Sequence, residues 1–225
     1  MINSFKGRFI TLEGGEGSGK STLLLKLADY IKNQKFNVIT TREPGGTQVG
    51  ERIREILLNH DENFLIGASA ELLLFLAARA QHIEEVIKPA LEAGHIVLCD
   101  RFNDSTIAYQ SARGLETPYV QQLCKMVCGP VIPHLTLFLD VDPAAGLERT
   151  HRLDKENASK GQFDRIEKEE IHFHQNVQKT FLWLVKREPL RIYRIDANHS
   201  RECVFKEAIR AIEELILLPS EKGKK

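Results

Sequence analysis

The sequence lacks an excess of charge of either sign. Its 225 residues include 31 Lys and Arg and 31 Asp and Glu, so the formal net charge at pH 7 is zero. Proteins that bind nucleic acid over an extended surface usually carry a basic excess. The balance therefore argues against a nucleic-acid partner, although it permits a local basic pocket.

Cysteine is also scarce. The four cysteines are Cys99, Cys124, Cys128 and Cys203, and no histidine is spaced with them as in a zinc site. Cys124 and Cys128 are four residues apart and could share one helix face, but burial of free thiols is the more usual interpretation. So few cysteines suit a reducing compartment.

Long apolar runs are missing. No stretch is long enough to span a bilayer, and no signal-peptide core precedes the first apolar run. We therefore expect a cytoplasmic protein with no membrane partner. The length suits one α/β domain with a sizeable core, which we assign to residues 1–218, followed by a disordered polar tail at 219–225.

What the sequence does contain is a phosphate-binding loop. The apolar run Phe9–Leu12 predicts a buried strand, the motif Gly-x-x-x-x-Gly-Lys-Ser follows at residues 14–21, and an apolar helical pattern opens at Leu23. In such a loop the backbone N–H groups surround phosphate oxygens, the lysine (Lys20) reaches the β- and γ-phosphates, and the serine (Ser21) ligates Mg²⁺. A chance match is the alternative. The residues predicted to hold the nucleotide are Gly14, Gly15, Glu16, Gly17, Ser18, Gly19, Lys20, Ser21 and Thr22.

Strand-like and helix-like segments alternate along the rest of the chain. This alternation predicts a parallel sheet covered by helices on both faces. Further strands are predicted at 36–41 (buried), 96–99, 135–139 and 191–195. Further helices are predicted after the N-cap Thr47, at 68–93 with a kink near Pro89 and an end at Gly94, from 100 through 110, and at 117–128, 143–150, 164–186 and 201–217.

Three loops should meet where the parallel strands end, because ligands of such sheets bind beyond their carboxyl ends. They are the phosphate loop, residues 42–47 and residues 100–105. Asp100 follows a strand directly and is placed to hold Mg²⁺, and the adjacent Arg101 could bridge donor and acceptor phosphates. A helix N-cap and a surface ion pair are the alternatives for these two residues. The strings that define GTPase switches do not occur.

The segment His151–Phe163 is charged and has no apolar periodicity, so we interpret it as a mobile loop. Together with Thr150 it could form a lid that excludes water and brings positive charge to a transferring phosphoryl group. Arg149 and Arg152 lie at its start, and Lys160 lies within it. A solvated loop without a catalytic role is the alternative.

Three strings together resemble bacterial thymidylate kinases. They are the phosphate loop, Thr-Arg-Glu-Pro-Gly-Gly-Thr at 41–47, and Asp-Arg-Phe-x-x-Ser-x-x-Ala-Tyr-Gln at 100–110, and the similarity extends from about Phe9 to Leu217. The resemblance implies the three-layer P-loop nucleoside monophosphate kinase fold, with a five-stranded parallel sheet and a lid at about 150–163. It also implies Mg²⁺-dependent transfer of the γ-phosphate of ATP to dTMP, and a homodimer formed through helices.

The resemblance further implies roles for individual residues. Phe75 stacks on thymine, Arg79 bonds its carbonyl, Tyr109 crowds the sugar 2′ position, and Arg101 grips the acceptor phosphate. Core packing remains an alternative for Phe75, a half-buried tyrosine without a role in binding for Tyr109, and a surface position for Arg54. The full set implied to bind dTMP is Glu16, Arg42, Pro44, Arg54, Phe75, Arg79, Arg101, Ser105, Thr106, Tyr109 and Gln110.

The family places its catalytic arginine either in the phosphate loop or in the lid. This chain has Gly17 at the loop position, so it resembles the lid-arginine type. We assign that role to Arg152 and contact with adenine to Arg149, with Arg149 and Lys160 as alternatives for catalysis. The catalytic set implied is Lys20, Asp100, Arg101 and Arg152, with Ser21 and Asp100 at the metal.

Overall fold

The computed structural model describes residues 5–59, 64–156 and 165–216. A five-stranded sheet with the order β2-β3-β1-β4-β5 runs through its centre, and every pair of neighbouring strands is parallel. The predicted parallel sheet is confirmed. Its strands are β1 (Arg8–Glu13), β2 (Val38–Arg42), β3 (Ile96–Asp100), β4 (Leu135–Asp140) and β5 (Ile192–Asp196).

Helices follow the strands and cover the sheet on both faces. Thr47 caps the first turn of α2, because its side chain accepts a hydrogen bond from the backbone N–H of Gly50, as predicted. The helices are α1 (Lys20–Asn33), α2 (Gln48–Leu57), α3 (Ala68–His82), α4 (Lys88–Glu92), α5 (Asn103–Ala112), α6 (Thr117–Cys128), α7 (Pro143–Glu156), α8 (Ile171–Arg187) and α9 (Arg201–Ile216).

The core lies in layers on the two sides of the sheet. Helices α1 and α9 pack against one face, where Leu27 and Ile212 join apolar side chains of β1, β3 and β4. On the other face, α3, α5, α6 and α8 pack around Phe138 and Phe181, whose rings stack 4.9 Å apart. Burial of these two layers fixes the sheet, and the sheet fixes the loops at its carboxyl edge.

The prediction that β2 is buried is wrong. It forms an edge of the sheet, pairs with β3 alone among the described strands, and none of its residues is fully buried. Phe36, predicted to begin this strand, precedes it and is 38% exposed. An apolar run in sequence does not reveal whether a strand has one neighbour or two, so edge and central strands look alike.

The helix predicted at 68–93 is interrupted. A π-helical turn at Ile83–Ile87 separates α3 from α4, and Pro89 lies in the first turn of α4. A proline has no N–H group to donate to the carbonyl four residues earlier, as an α-helix requires. The wider π-helical turn accommodates the proline at this point. Leu73 of α3 is 58% exposed, although it is apolar.

The predicted loop at 151–163 begins with helix. Helix α7 continues through His151–Glu156, because Arg, Leu, Lys and Glu favour helix even without an apolar stripe. The helix predicted from residue 164 begins instead at Ile171, after a turn in which Ile166 is buried. The rest of the predicted lid, including Lys160, and the predicted tail lie outside the described residues.

Cys124 and Cys128 are buried free thiols, as predicted, and Cys99 is buried too. Within the described ranges, no helix is both long and apolar enough to cross a membrane.

Candidate active site

A pocket of about 440 Å³ opens at the carboxyl edge of the sheet. The ends of β2 and β3 meet there, because Arg42 and Asp100 are partners in the strand register. The predicted site residues that line it are Glu16, Gly17, Gly19, Lys20, Ser21, Thr22, Arg42, Pro44, Arg54, Phe75, Arg79, Asp100, Arg101, Ser105, Thr106, Tyr109 and Gln110.

The side chain of Lys20 folds back onto the phosphate loop. Lys20 is buried, and its Nζ donates to the carbonyl oxygens of Gly14 at 3.2 Å and Gly15 at 2.7 Å and to Ser18 Oγ at 3.1 Å. Burial and the charge of Arg101 lower the pKa of Lys20 to about 8. A lysine held in this way can exchange its carbonyl partners for phosphate oxygens.

Ser21 and Asp100 meet at the start of α1. Ser21 Oγ donates to Asp100 Oδ2 at 2.7 Å. The N-cap residue of α5 is Phe102, so the alternative of Asp100 as the N-cap does not apply. A hydroxyl and a carboxylate side by side supply hard oxygen ligands, and Mg²⁺ in nucleotide sites typically uses one or two protein ligands beside phosphates and water. This pair therefore fits Mg²⁺.

Arg101 lies between the phosphate loop and α5. Its backbone has φ of 67°, a left-handed conformation, and its Nη1 donates to Gly14 O at 2.8 Å and to Ser105 Oγ at 3.2 Å. Its Nη2 donates to Glu16 Oε1 at 2.6 Å, and the Tyr109 hydroxyl donates to the same oxygen at 2.8 Å. The guanidinium is thus fixed from three sides.

These contacts set the charge of Glu16. Burial opposes ionisation of this carboxyl, but the charges of Arg101 and Lys20 outweigh it and lower the pKa of Glu16 to about 2. Burial and the Arg101 charge act in opposite senses on Tyr109, and the pKa of its hydroxyl is raised well above the ordinary value. At neutral pH the site therefore holds a charged carboxylate and a neutral phenol next to Arg101.

Sequence reasoning missed Glu13, the last residue of β1. It is fully buried and accepts hydrogen bonds from the Phe102 backbone N–H at 2.9 Å and from the Ser105 hydroxyl. Burial, followed by the nearby charge of Asp104, raises the pKa of Glu13 to about 7. A charged residue directly after the predicted strand Phe9–Leu12 was the available signal, and Glu13 fixes the turn that carries Arg101.

A second buried carboxylate holds Arg79. Arg79 Nε donates to Glu43 Oε2 at 2.8 Å and its Nη2 donates to Thr106 Oγ1 at 2.8 Å. His82 Nδ1 donates to the other Glu43 oxygen at 2.9 Å. The third nitrogen, Arg79 Nη1, is buried and makes no direct hydrogen bond among the described residues, although the Cys124 thiol lies beside the Arg79 guanidinium. Glu43 lies inside the Arg-Glu-Pro string, but sequence reasoning selected only its neighbours Arg42 and Pro44.

Gln110 has a similar arrangement. Its Nε2 donates to Glu71 Oε1 at 2.8 Å, while its Oε1 is buried without a partner among the described residues. Glu71, Phe75 and Arg79 are spaced by four along α3 and share one helix face. Of these three, sequence reasoning missed Glu71.

The remaining arginines of the pocket belong to β2 and α2. Arg42 forms an exposed ion pair with Glu51 at 2.9 Å, and Arg54 Nη1 donates to the Pro44 carbonyl at 2.9 Å. Arg54 lines the pocket, so it is not simply a surface residue.

Arg149 and Arg152, which we predicted to contact adenine and to act in catalysis, lie on α7 and do not line the pocket. Arg149 is partly buried, and its Nη1 donates to the Ala197 carbonyl at 3.0 Å. Arg152 is exposed, one turn further along the helix.

Comparisons with known proteins agree with this geometry. A family model described as thymidylate kinase matches residues 12–208. The chain is 62% identical over 211 residues to a thymidylate kinase of Protochlamydia amoebophila, covering 93% of this chain and 94% of that protein. It is 48% identical over 209 residues to a thymidylate kinase of Magnetococcus marinus, covering 92% and 96%. The crystal structure of thymidylate kinase from Ehrlichia chaffeensis matches with a TM-score of 0.70 and 34% identity, covering 92% of this chain and 98% of that chain. This chain belongs to the thymidylate kinase family.

Proposed function

We propose that this chain transfers the γ-phosphate of ATP to dTMP, giving dTDP and ADP for dTTP biosynthesis. The observation that carries the proposal is that one pocket is lined by the phosphate loop and by Arg79 and Gln110, each of which has a buried polar atom with no hydrogen-bond partner in the part of the chain that the structure describes. These atoms are Arg79 Nη1 and Gln110 Oε1. A buried polar group without a partner is costly, so such atoms mark where a ligand completes the bonding.

The two atoms are of opposite kinds. Arg79 Nη1 can only donate a hydrogen bond and Gln110 Oε1 can only accept one. Thymine offers the complementary edge, a carbonyl O4 next to the N3–H donor. Cytosine offers an amine and a bare N3 at the same positions, which would put donor against donor and acceptor against acceptor.

The nucleoside lies between aromatic side chains in this proposal. Phe75 lines the pocket and stacks on the base, and Tyr109 lies against the sugar, where its ring leaves little room for a 2′-hydroxyl. Glu16 holds Tyr109 through its hydroxyl and faces the 3′ side of the sugar. These positions favour a deoxynucleotide.

The phosphates lie between Lys20 and Arg101. Both cations are already fixed by hydrogen bonds, so they stabilise developing charge on the transferring group with little reorganisation. The backbone of Gly14–Ser21 binds the ATP phosphates, and Arg42 contributes charge at the dTMP phosphate. Ser21 and Asp100 would hold Mg²⁺, which neutralises phosphate charge when bound.

Arg152 is the proposed lid arginine, and Arg149 the proposed contact to adenine. Both lie on α7, whose start packs directly on the phosphate loop through Gly146. This packing supports a role for the helix near ATP.

A homodimer through the helices is also proposed. Exposed apolar side chains occur on three helices that pack in series, α2, α3 and α6. They are Ile56 at 39%, Leu73 at 58% and Met126 at 72% exposed. Covering such a face would remove apolar area from water.

The test is an assay of ADP release from ATP with dTMP, dUMP, dCMP, dGMP and dAMP as acceptors. We expect the highest kcat/KM with dTMP. Preference for a purine nucleotide or dCMP would reject the proposed acceptor, and stoichiometric ATP binding without acceptor-stimulated turnover would reject an enzyme.

A further inference from the structure

Glu71 is the centre of a buried polar cluster behind the base pocket. Its side chain is 2% exposed. Gln110 Nε2 donates to one carboxylate oxygen at 2.8 Å, and Arg165 Nη2 donates to the other. Arg113 Nε lies 3.5 Å from the oxygen that Gln110 contacts, and Arg113 also pairs with Glu169.

These contacts determine the chemistry of Glu71. A carboxylate buried between two guanidinium groups carries its charge, because an uncompensated arginine in that position would be costly. An ionised carboxylate has no proton to donate and can only accept hydrogen bonds. Gln110 must therefore turn its NH₂ group toward Glu71.

We infer that Glu71 is a specificity-determining positioning residue, which fixes the orientation of the Gln110 amide so that only its oxygen is presented to the base. The inference rests on the proposed function, since the base is taken to be the thymine of dTMP. A glutamine without such a partner can rotate its amide by half a turn at little cost and present either a donor or an acceptor. With Glu71 in place, the reversed amide would put its oxygen against a carboxylate.

The consequence is rejection of the cytosine edge. The unprotonated N3 of cytosine needs a hydrogen-bond donor. Gln110 cannot supply one, because its NH₂ group already donates to Glu71. Arg79 is fixed in the same manner by Glu43, so each atom that reads the base has its own buried carboxylate behind it. Glu71 acts through Gln110 and does not itself line the pocket.

The experiment compares dTMP with 5-methyl-dCMP, which keeps the methyl group and differs at O4 and N3 alone. The variant is Glu71→Gln, whose neutral amide can either accept from or donate to Gln110. We expect the ratio of kcat/KM for dTMP to that for 5-methyl-dCMP to fall by about tenfold or more. The reason is that the Gln110 amide can then rotate and donate a hydrogen bond to N3 of the analogue.

Two further variants separate positioning from stability. Glu169→Gln neutralises the other carboxylate of the cluster without touching Gln110, and the ratio should equal that of the wild type. In the Glu71→Gln, Gln110→Glu double variant the amide at position 71 donates to the carboxylate at position 110. A carboxylate oxygen then faces the base, and the ratio should recover.

A Glu71→Gln chain that folds but loses kcat/KM equally for both nucleotides overturns the inference. The wild-type arm tests the proposed function separately, because a wild-type chain without preference for dTMP refutes that function whatever the variants do. If Glu71→Gln does not fold, exchange of the Gln110 side-chain NH₂ is followed by NMR in the wild type. Protection from exchange without dTMP is expected, and protection that appears only with dTMP overturns the inference.

Discussion

The carbonyl oxygen of Gly146 lies where a side chain on Gly17 would begin. A Cβ built on Gly17 would be 1.9 Å from that oxygen, and one built on Gly146 would be 2.3 Å from the Glu16 carbonyl oxygen. The phosphate loop and the start of α7 therefore pack backbone against backbone. No arginine fits at position 17 in this arrangement, which is consistent with the proposed lid-arginine type.

Gly17→Ala should destabilise the chain. The φ of Gly17 is +64° and its neighbour is backbone that cannot rotate away, so the loop or α7 must shift. We expect the free energy of unfolding to fall by about 1–3 kcal/mol, measured by denaturant titration. Gly15→Ala is the matched control, since a Cβ there meets nothing within 4 Å. Equal stability of the two variants would contradict the close packing.

Lys20→Ala should remove turnover without unfolding the chain. Among the described residues, the hydrogen bonds of Lys20 go to the phosphate loop, and the proposed role of its charge is to stabilise the transferring phosphoryl group. We expect kcat to fall at least about a hundredfold. Steady-state kinetics measure the loss, and circular dichroism checks the fold. An unchanged kcat would remove the loop from the mechanism.

The lowered pKa of Lys20 makes ATP binding depend on pH. Without nucleotide this pKa is about 8, so the ammonium loses its proton as the pH rises through that value. Polyphosphate favours the charged form, and ATP binding above about pH 8 should take up a proton and weaken with rising pH. Calorimetry in two buffers of different ionisation enthalpy measures the uptake. The same uptake in Lys20→Ala would assign it to another group.

Arg152→Ala should lower kcat far more than it raises KM for dTMP. The proposed lid charge is needed mainly in the transition state, so the loss falls on kcat, by at least about a hundredfold. Arg149→Ala is the comparison, and its expected effect is a higher KM for ATP. If Lys160→Ala shows the kcat loss and Arg152→Ala does not, the assignment moves to Lys160.

Glu13→Gln should change how stability depends on pH. The pKa of Glu13 is about 7 in the folded chain and 4.5 ordinarily, so between these values the unfolded chain has released a proton that the folded chain keeps. Rising pH therefore destabilises the wild type across this window. Between about pH 5 and about pH 8, the free energy of unfolding should fall by about 1–3 kcal/mol more in the wild type than in the variant. Denaturant titration at the two pH values measures the difference.

Glu16→Gln is the control for that measurement. The pKa of Glu16 is lowered to about 2, so its contribution to stability is complete above its ordinary value of 4.5 and is lost only as the pH falls toward 2. The difference between this variant and the wild type should vary less from about pH 5 to about pH 8 than the difference for Glu13→Gln, and its remaining variation comes from Lys20, whose pKa Glu16 raises. A Glu13→Gln chain with the same pH dependence as the wild type would contradict the raised pKa.

Much of the fold could be predicted from local patterns. Helix α6 begins and ends at the predicted residues, and the N-cap Thr47 is confirmed, because turn chemistry and apolar spacing are local properties. Two predictions that were wrong, the burial of β2 and the start of α8, involve neighbours distant in sequence. The extent of α7 was predicted wrongly for a local reason, because its last residues favour helix without forming an apolar stripe.

The residues of the candidate site also fall into those that could be predicted from the sequence and those that could not. Residues of the phosphate loop were found because phosphate binding needs a fixed short spacing, and the dTMP-binding residues of the other two strings were found through the resemblance to thymidylate kinases. Glu13, Glu43 and Glu71 were missed, since the sequence does not show that a glutamate is buried against polar groups of another element.

The phosphate loop, the alternation of strands and helices, and the family could be inferred from the chain alone, because each depends on residues close together in sequence. The fold was needed to learn which carboxylates are buried, which arginines they hold, and which atoms of Arg79 and Gln110 lack a partner among the described residues. Burial and hydrogen bonding depend on what packs around a side chain, and the partners here come from helices and strands far apart in sequence.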